Sequence, residues 1–402
     1  MKQFWILSVL AFCFFSQGCI NPKATSLQGL PIVDLTKEYP EKEFLLGEPD
    51  RVYYIPLETT NDVLADEYFF IRYVSDNRIV GINGKRGDIF IFDRDGKVIS
   101  SFNHTGNSGI DYLGIQSIVF DEKRGEVFVA DYAARNRCLV YSEDGKFLRQ
   151  FYFPDNSSIG YCNLYNFDDK TLFAYNRHRQ NLDADEINQK TPYVFLSKED
   201  GSVVSRVDVS FPKRIPEDRH YTEIENGRGR QTFSVSTTNL IKQGQEFIIA
   251  DRSSDTIYLL TQDKKLTPLF VRTPSVFDTK KIIYLSVHFK TDRYIYFGTS
   301  SYDFTKVVER LKAGEAYGHL FTSRSLVYDL HTGEIFTPVR SPRSFVGDVP
   351  ENTMVHWYSA DRLIGMLESG HFRDESKLKE IAQAIKEEKE EVNPVVLLTK
   401  FR

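Results

Sequence analysis

Three Asp-Gly pairs and one Thr-Gly pair, each set between runs of aromatic and β-branched residues, constrain this chain more than any other feature. Asp95-Gly96 separates Asp88-Ile-Phe-Ile-Phe-Asp93 from Lys97-Val-Ile-Ser-Ser-Phe102. Asp144-Gly145 separates Cys138-Leu-Val-Tyr141 from Lys146-Phe-Leu-Arg-Gln-Phe151. Asp200-Gly201 and Thr332-Gly333 divide similar pairs, Tyr193–Leu196 from Ser202–Ser205 and Ser325–Asp329 from Glu334–Phe336. Glycine supplies the positive φ that a tight hairpin demands, and the flanking residues are strand formers. The first two intervals are 49 and 56 residues, and the third, 132, spans two units. A degraded copy fills that gap: Thr256–Leu260, a turn through Asp263-Lys264-Lys265, then Leu266 onward.

A period near 50 with four short strands per unit is the pattern of a β-propeller blade. The expected fold is all-β: a six-bladed β-propeller of four-stranded antiparallel blades over residues 50–402. Its blades begin at Phe69, Gln116, Cys162, Thr232, Ile282 and Met354. Blade 6 comprises Met354–Tyr358, Arg362–Leu367 and Pro394–Phe401 and lacks a fourth strand. Arg51–Glu58 has no partner in blade 1, so it is expected to pair with Val395–Phe401 and close the ring, which removes exposed edges. Pro56 suits an outer-edge strand, because proline donates nothing to a ladder. Two helical inserts are expected, Tyr302–Ala316 in blade 5 and Asp374–Glu391 in blade 6. The latter places Leu378, Ile381 and Ile385 on one stripe.

The composition agrees with this: Phe 31 and Tyr 22 against Met 3 favour pleated, ring-packed cores. A net charge of −5 gives no general attraction for phosphate backbones, so no nucleic-acid partner is expected. The first 18 residues have the parts of an export signal: Lys2, the apolar run Phe4–Phe15, and a small residue, Gly18. The run is too short to cross a bilayer, which takes roughly 20 apolar residues. Gly18-Cys19 resembles the lipobox of bacterial lipoproteins. That resemblance implies lipidation at Cys19 and a membrane partner through the anchor. Residues 19–49, with Pro22, Pro31, Pro40 and Pro49, read as a tether. Ile20-Asn21-Pro22-Lys23 lacks both the aspartate of inner-membrane retention and the acidic cluster of surface export. The expected location is therefore the outer membrane, facing the periplasm. Cys138 and Cys162 lie in strand-like segments, where burial as free thiols is the commoner fate, although an oxidising compartment permits a bridge.

Ser101-Phe102-Asn-His-Thr-Gly106-Asn-Ser-Gly109-Ile-Asp-Tyr112, Glu126–Asp131 and Val140–Gly145 together resemble an NHL-type repeat. Ser108, Ile110 and Asp111 replace the usual turn residues. With Ile55–Thr60 and Asn393–Lys400, the body of the chain resembles the six-bladed β-propeller lipoproteins of Bacteroidetes-type bacteria. The resemblance implies fold and placement, and no particular activity.

Propeller loops carry function, because the strands are committed to packing. Several loops expected on one face hold arginine or histidine. The candidate ligand-binding residues are Arg135, Arg177, His178, Arg219 and Arg252. Guanidinium groups suit carboxylates, sulfates or phosphates. The weighed alternative is that these arginines pair with acids of their own loops. Asp131 and Asp251, each following a second strand, are expected to hold turn N–H groups. HExxH, GxSxG and phosphate-loop patterns do not occur, so no catalytic residue, metal or cofactor is assigned. The function expected is a binding or scaffolding module for a peptide, a glycan or an envelope protein. The alternative is a metal-assisted lyase or hydrolase at the channel mouth.

Overall fold

The computed structural model describes residues 29–43, 51–131, 136–153, 161–176, 191–209, 211, 214–215, 219–223, 230–234, 240–278, 282–302, 313, 322–339, 347–370, 376–388 and 392–401. Cys19 lies outside them.

All four turn glycines take the left-handed conformation that the hairpins require. Their φ values are 85° at Gly96, 83° at Gly145, 73° at Gly201 and 73° at Gly333. In the degraded copy Lys264 carries the turn at φ 63°, with its ammonium 4.4 Å from the centre of the Phe195 ring. Each turn joins the last two strands of a four-stranded antiparallel meander. The first meander is Phe69–Val74, Arg78–Asn83, Ile89–Asp93 and Val98–Phe102. The second is Ile115–Asp121, Glu126–Asp131, Arg137–Ser142 and Phe147–Tyr152. The third is Tyr161–Asn166, Thr171–Asn176, Tyr193–Ser197 and Val203–Arg206. The fourth is Leu240–Gln243, Glu246–Ile249, Thr256–Leu260 and Leu266–Thr273. The fifth is Ile282–Lys290, Tyr294–Tyr302, Thr322–Asp329 and Ile335–Pro338. Buried aromatic and aliphatic side chains of successive meanders pack face to face. Phe102, for example, lies against Tyr141, with ring centres 5.7 Å apart.

The arrangement is all-β and propeller-like, but the sheets are not six equal units. Asp348–Val349 pairs parallel with both the first and the fourth meander, merging them into one ten-stranded sheet. The last sheet has three strands, not four: Thr353–Tyr358, Val395–Lys400 and Arg51–Pro56. The N-terminal strand pairs antiparallel with the C-terminal one, Ile55 opposite Val396.

Four expectations need correction or limit. Arg362–Leu367, read as a strand, lies within a helix, α1 (Ala360–Glu368). Ser359 caps it, its Oγ accepting from the Arg362 N–H, and Leu363 is fully buried against α2 (Ser376–Glu388). A short run such as Leu363–Leu367 does not distinguish strand from helix, whereas a capping serine and a facing helix do. The first strand of the fourth meander is Leu240–Gln243 rather than Thr232–Leu240; Arg230–Ser234 instead pairs with Arg219–Glu223 in a separate hairpin. Pairing decides this: Leu240–Gln243 lies opposite Glu246–Ile249, with Leu240 facing Ile249. The tether reading fails for part of residues 19–49. Ile32–Asp34 adds a parallel strand to Leu266–Thr273, and Glu41–Lys42 adds one to Ile335–Pro338. Val33 and Leu35 are completely buried there, each worth about 1.5–3 kcal/mol. The helix expected over Tyr302–Ala316 falls almost entirely outside the described residues.

Cys138 is a buried free thiol, held protonated by its apolar surroundings. Charged side chains tie neighbouring meanders together. The Lys198 ammonium is fully buried between Asp121 Oδ2 at 2.6 Å and the Asp168 carbonyl at 2.5 Å. Arg149 donates two bonds to Glu126, 2.7 and 2.9 Å, and a third to the Lys198 carbonyl.

The turns also lock each meander onto its neighbour. A Cβ at Gly145 would lie 2.6 Å from the Phe102 ring of the first meander. One at Gly201 would lie 2.5 Å from the Phe151 ring of the second. One at Gly96 would strike the Pro56 carbonyl oxygen of the N-terminal strand. Glu58 donates its N–H to the Gly96 carbonyl at 2.8 Å. Arg51–Pro56 thus packs against the first meander as Val98–Phe102 and Phe147–Tyr152 pack against the second and third.

Candidate binding site

The second strands end at Asp131, Asn176 and Ile249, and the connections that follow hold most of the arginine and histidine residues singled out above. Arg135, Arg177 and His178 lie outside the described residues. Arg219 is in the hairpin strand Arg219–Glu223, opposite Ser234, and its side chain is likewise outside the description. Arg252 is therefore the one member whose side chain is placed. It is not a solvated loop arginine: it is buried, with its guanidinium carbon 5.2 Å from the centre of the Tyr284 ring.

Around Arg252 the geometry is well defined. Asp251 Oδ1 accepts from the Ser253 N–H at 2.7 Å, so this aspartate does hold its turn. Its second oxygen accepts the Tyr193 hydroxyl at 2.9 Å. Burial, with the Asp251 carboxylate next in weight, pushes the Tyr193 phenol well above the ordinary tyrosine range. The Ile215 N–H donates to Ser253 Oγ at 2.9 Å, tying the segment after the third meander to the same loop. That segment carries Arg214, which donates to the Tyr175 hydroxyl at 3.0 Å and lies 5.7 Å from the centre of the same ring. Burial opposes charge on Arg214, but the surrounding Tyr175, Asp251 and Tyr193 outweigh it and hold the guanidinium firmly protonated.

Arg214 and Arg252 thus lie on two hydrogen-bonded segments at one end of the third to fifth meanders, each guanidinium beside a tyrosine ring, 5.7 and 5.2 Å from its centre. Arg214 was not singled out in the sequence. Its one legible signal is its place between two proline-flanked residues, Lys213 and Ile215, within an arginine-rich stretch. At the end of the second meander's second strand, local pairing dominates. Arg137 bonds Asp131 Oδ2 at 2.5 Å, and the Leu113 N–H reaches Asp131 Oδ1 at 3.3 Å. Among the described residues no group of three or more His, Cys, Asp or Glu side chains is placed to hold a metal ion.

Solved structures resemble this fold at low sequence identity. A Bacteroides fragilis protein described as exported superposes with a TM-score of 0.57 at 14% identity, covering 92% of this chain and 99% of that one. A member of the DUF4221 family from Bacteroides vulgatus gives a TM-score of 0.44 at 11% identity, covering 72% and 84%. Virginiamycin B lyase of Staphylococcus aureus gives 0.38 at 10% identity, covering 87% and 100%. No curated protein matches the sequence. One family model matches almost the whole described body, residues 30–400, and by that match the chain belongs to the domain-of-unknown-function family DUF4934.

Proposed function

We propose that this chain is a lipid-anchored module of the cell envelope, a six-bladed propeller that binds an anionic group of a peptide, glycan or protein partner through one loop face. The observation that carries the reading is that the segments bearing Arg214 and Arg252, separate in sequence, are hydrogen-bonded to each other beside Asp251 at one end of the sheets. Arg135, Arg177, His178 and Arg219 are proposed as further members of this face, because propeller loops carry function while the strands are committed to packing. The six-bladed ring is supported by five four-stranded meanders and a three-stranded sheet completed by Arg51–Pro56. It is supported further by the contact at Gly96, which repeats those at Gly145 and Gly201. The resemblance of residues 101–145 to an NHL-type repeat fits the same ring. Placement in the envelope rests on the Gly18-Cys19 junction after a short apolar run, and accords with a similar fold in a protein described as exported.

The binding reading is tested by probing the purified full chain on arrays of acidic and neutral peptides and oligosaccharides. The expected result is salt-weakened binding to acidic members, reduced roughly ten- to a hundredfold by Arg252→Gln. Binding that is equal for neutral members, or unchanged in Arg252→Gln, overturns it. The anchor is tested separately: Cys19→Ala should lose fatty-acid labelling and leave the membrane fraction, and retained labelling refutes it.

A further inference from the structure

A cavity of about 400 Å3 lies between the innermost strands of the first three meanders, closed on one side by Gly347-Asp348. Its volume falls in the range of small-molecule sites, roughly 300–1,000 Å3. Two of its polar residues are placed by the same backbone device. Ile71 pairs with Gly81 and Tyr73 with Val80, so Arg72 is the extra residue of a β-bulge. Ile115 pairs with Asp131 and Ser117 with Ala130, so Gln116 is the extra residue of a second bulge on the adjacent innermost strand. A bulge frees one residue from the ladder and re-aims its side chain. Here it brings a guanidinium and an amide to the wall of one cavity.

Arg72 is exposed to solvent and lines the cavity. Its guanidinium carbon lies 5.4 Å from the centre of the Phe70 ring, and among the described residues no carboxylate forms an ion pair with it. Asp348, on the short strand paired with Tyr73 beside Arg72, is already engaged, its carboxylate bonded to the Lys242 ammonium at 2.7 Å. A guanidinium has five N–H donors and no acceptor, so this arginine retains unfilled hydrogen-bonding capacity. Asn163 and Asn166 also line the wall, and Asn166 Oδ1 is a buried acceptor with no partner. The cavity therefore offers one fixed positive charge, amide groups that bond hydroxyls, and an acceptor awaiting a donor.

We propose that this cavity is a second binding site, separate from the loop face, for a small polyhydroxy carboxylate. The carboxylate meets the planar fork of Arg72, and the hydroxyls bond Gln116, Asn163 and Asn166. The planar guanidinium suits a carboxylate, and three amides on two adjacent innermost strands favour a hydroxylated ligand over a bare acid.

The test is isothermal titration of the full chain with gluconate, galacturonate, acetate and neutral galactose. Gluconate or galacturonate should bind with one-to-one stoichiometry, and both acetate and galactose at least roughly tenfold more weakly. Arg72→Gln should lower affinity for the acid roughly ten- to a hundredfold, while Asn166→Ala weakens gluconate but not acetate. Lys377→Gln, on the exposed face of α2, controls for net charge and should leave binding unchanged. Circular dichroism of each variant confirms its fold. The proposal is overturned if neither acid binds, if galactose or acetate binds as tightly as the acids, or if folded Arg72→Gln binds the acid as well as the parent.

Discussion

Gly201→Ala and Gly333→Ala separate the conformational role of the turn glycines from their role in packing one meander on the next. Both glycines have φ 73°, so an added Cβ strains the backbone equally, by about 1–2 kcal/mol. Their surroundings differ. A Cβ at Gly333 meets nothing within 4 Å. A Cβ at Gly201 would lie 2.5 Å from Phe151 Cδ2, 2.9 Å from its Cε2 and 3.2 Å from the Tyr152 carbonyl oxygen. Phe151 cannot easily move, because it is buried edge-on against Phe153, with ring centres 5.7 Å apart. Overpacking of this kind costs about 1–3 kcal/mol more. Gly201→Ala should therefore destabilise by about 2–5 kcal/mol and Gly333→Ala by about 1–2 kcal/mol. Urea unfolding followed by tryptophan fluorescence reads the difference. With a slope of about 3 kcal/mol per molar, the Gly201 variant should unfold up to about 1 M earlier than the Gly333 variant. Gly96→Ala extends the comparison, because its Cβ would strike the Pro56 carbonyl of the N-terminal strand; it should behave like Gly201→Ala. Equal midpoints for Gly201→Ala and Gly333→Ala would refute the packing account. A mild effect at Gly96 would count against the N-terminal strand completing the ring.

Two further outcomes follow from buried charge. Lys198→Met strands the Asp121 carboxylate, itself 2% exposed, and should cost about 3–5 kcal/mol in urea unfolding. Adding Asp121→Asn should recover much of that loss, and a double variant no better than Lys198→Met would contradict it. Burial acts to raise the Asp88 carboxyl, but bonds from Asn103, Asn83 and Arg86 outweigh it and hold it below the ordinary range. The folded state therefore binds that proton less readily than the unfolded chain. The stabilisation is present above an unfolded value of about 3.9 and is lost as pH falls through the lower folded one. Asp88→Asn should flatten the acid limb of the stability–pH curve, and an unchanged limb would disprove the linkage.

The sequence by itself determined the turns and most of the strands. A glycine after aspartate or threonine, flanked by alternating apolar residues, needs only its neighbours to specify a hairpin, and Gly96, Gly145, Gly201 and Gly333 all adopt the required φ. The pairing of Arg51–Pro56 with Val395–Lys400 was legible for another reason: the N-terminal strand had no partner in the first blade, and the last blade was one strand short. At the loop face, Asp251 was legible as a turn holder, whereas Arg214 was not singled out and Arg252 gave no sign of its burial. Those depend on Tyr175 and Tyr284, remote in sequence and brought near only by adjacent sheets. Tertiary contacts also decided the helix at Ala360–Glu368, which needed a facing helix, and the docking of Ile32–Asp34, which needed a free sheet edge. The bulges at Arg72 and Gln116 belong with these. A bulge is a mismatch in register between two paired strands, and neither strand carries that mismatch in its own residues.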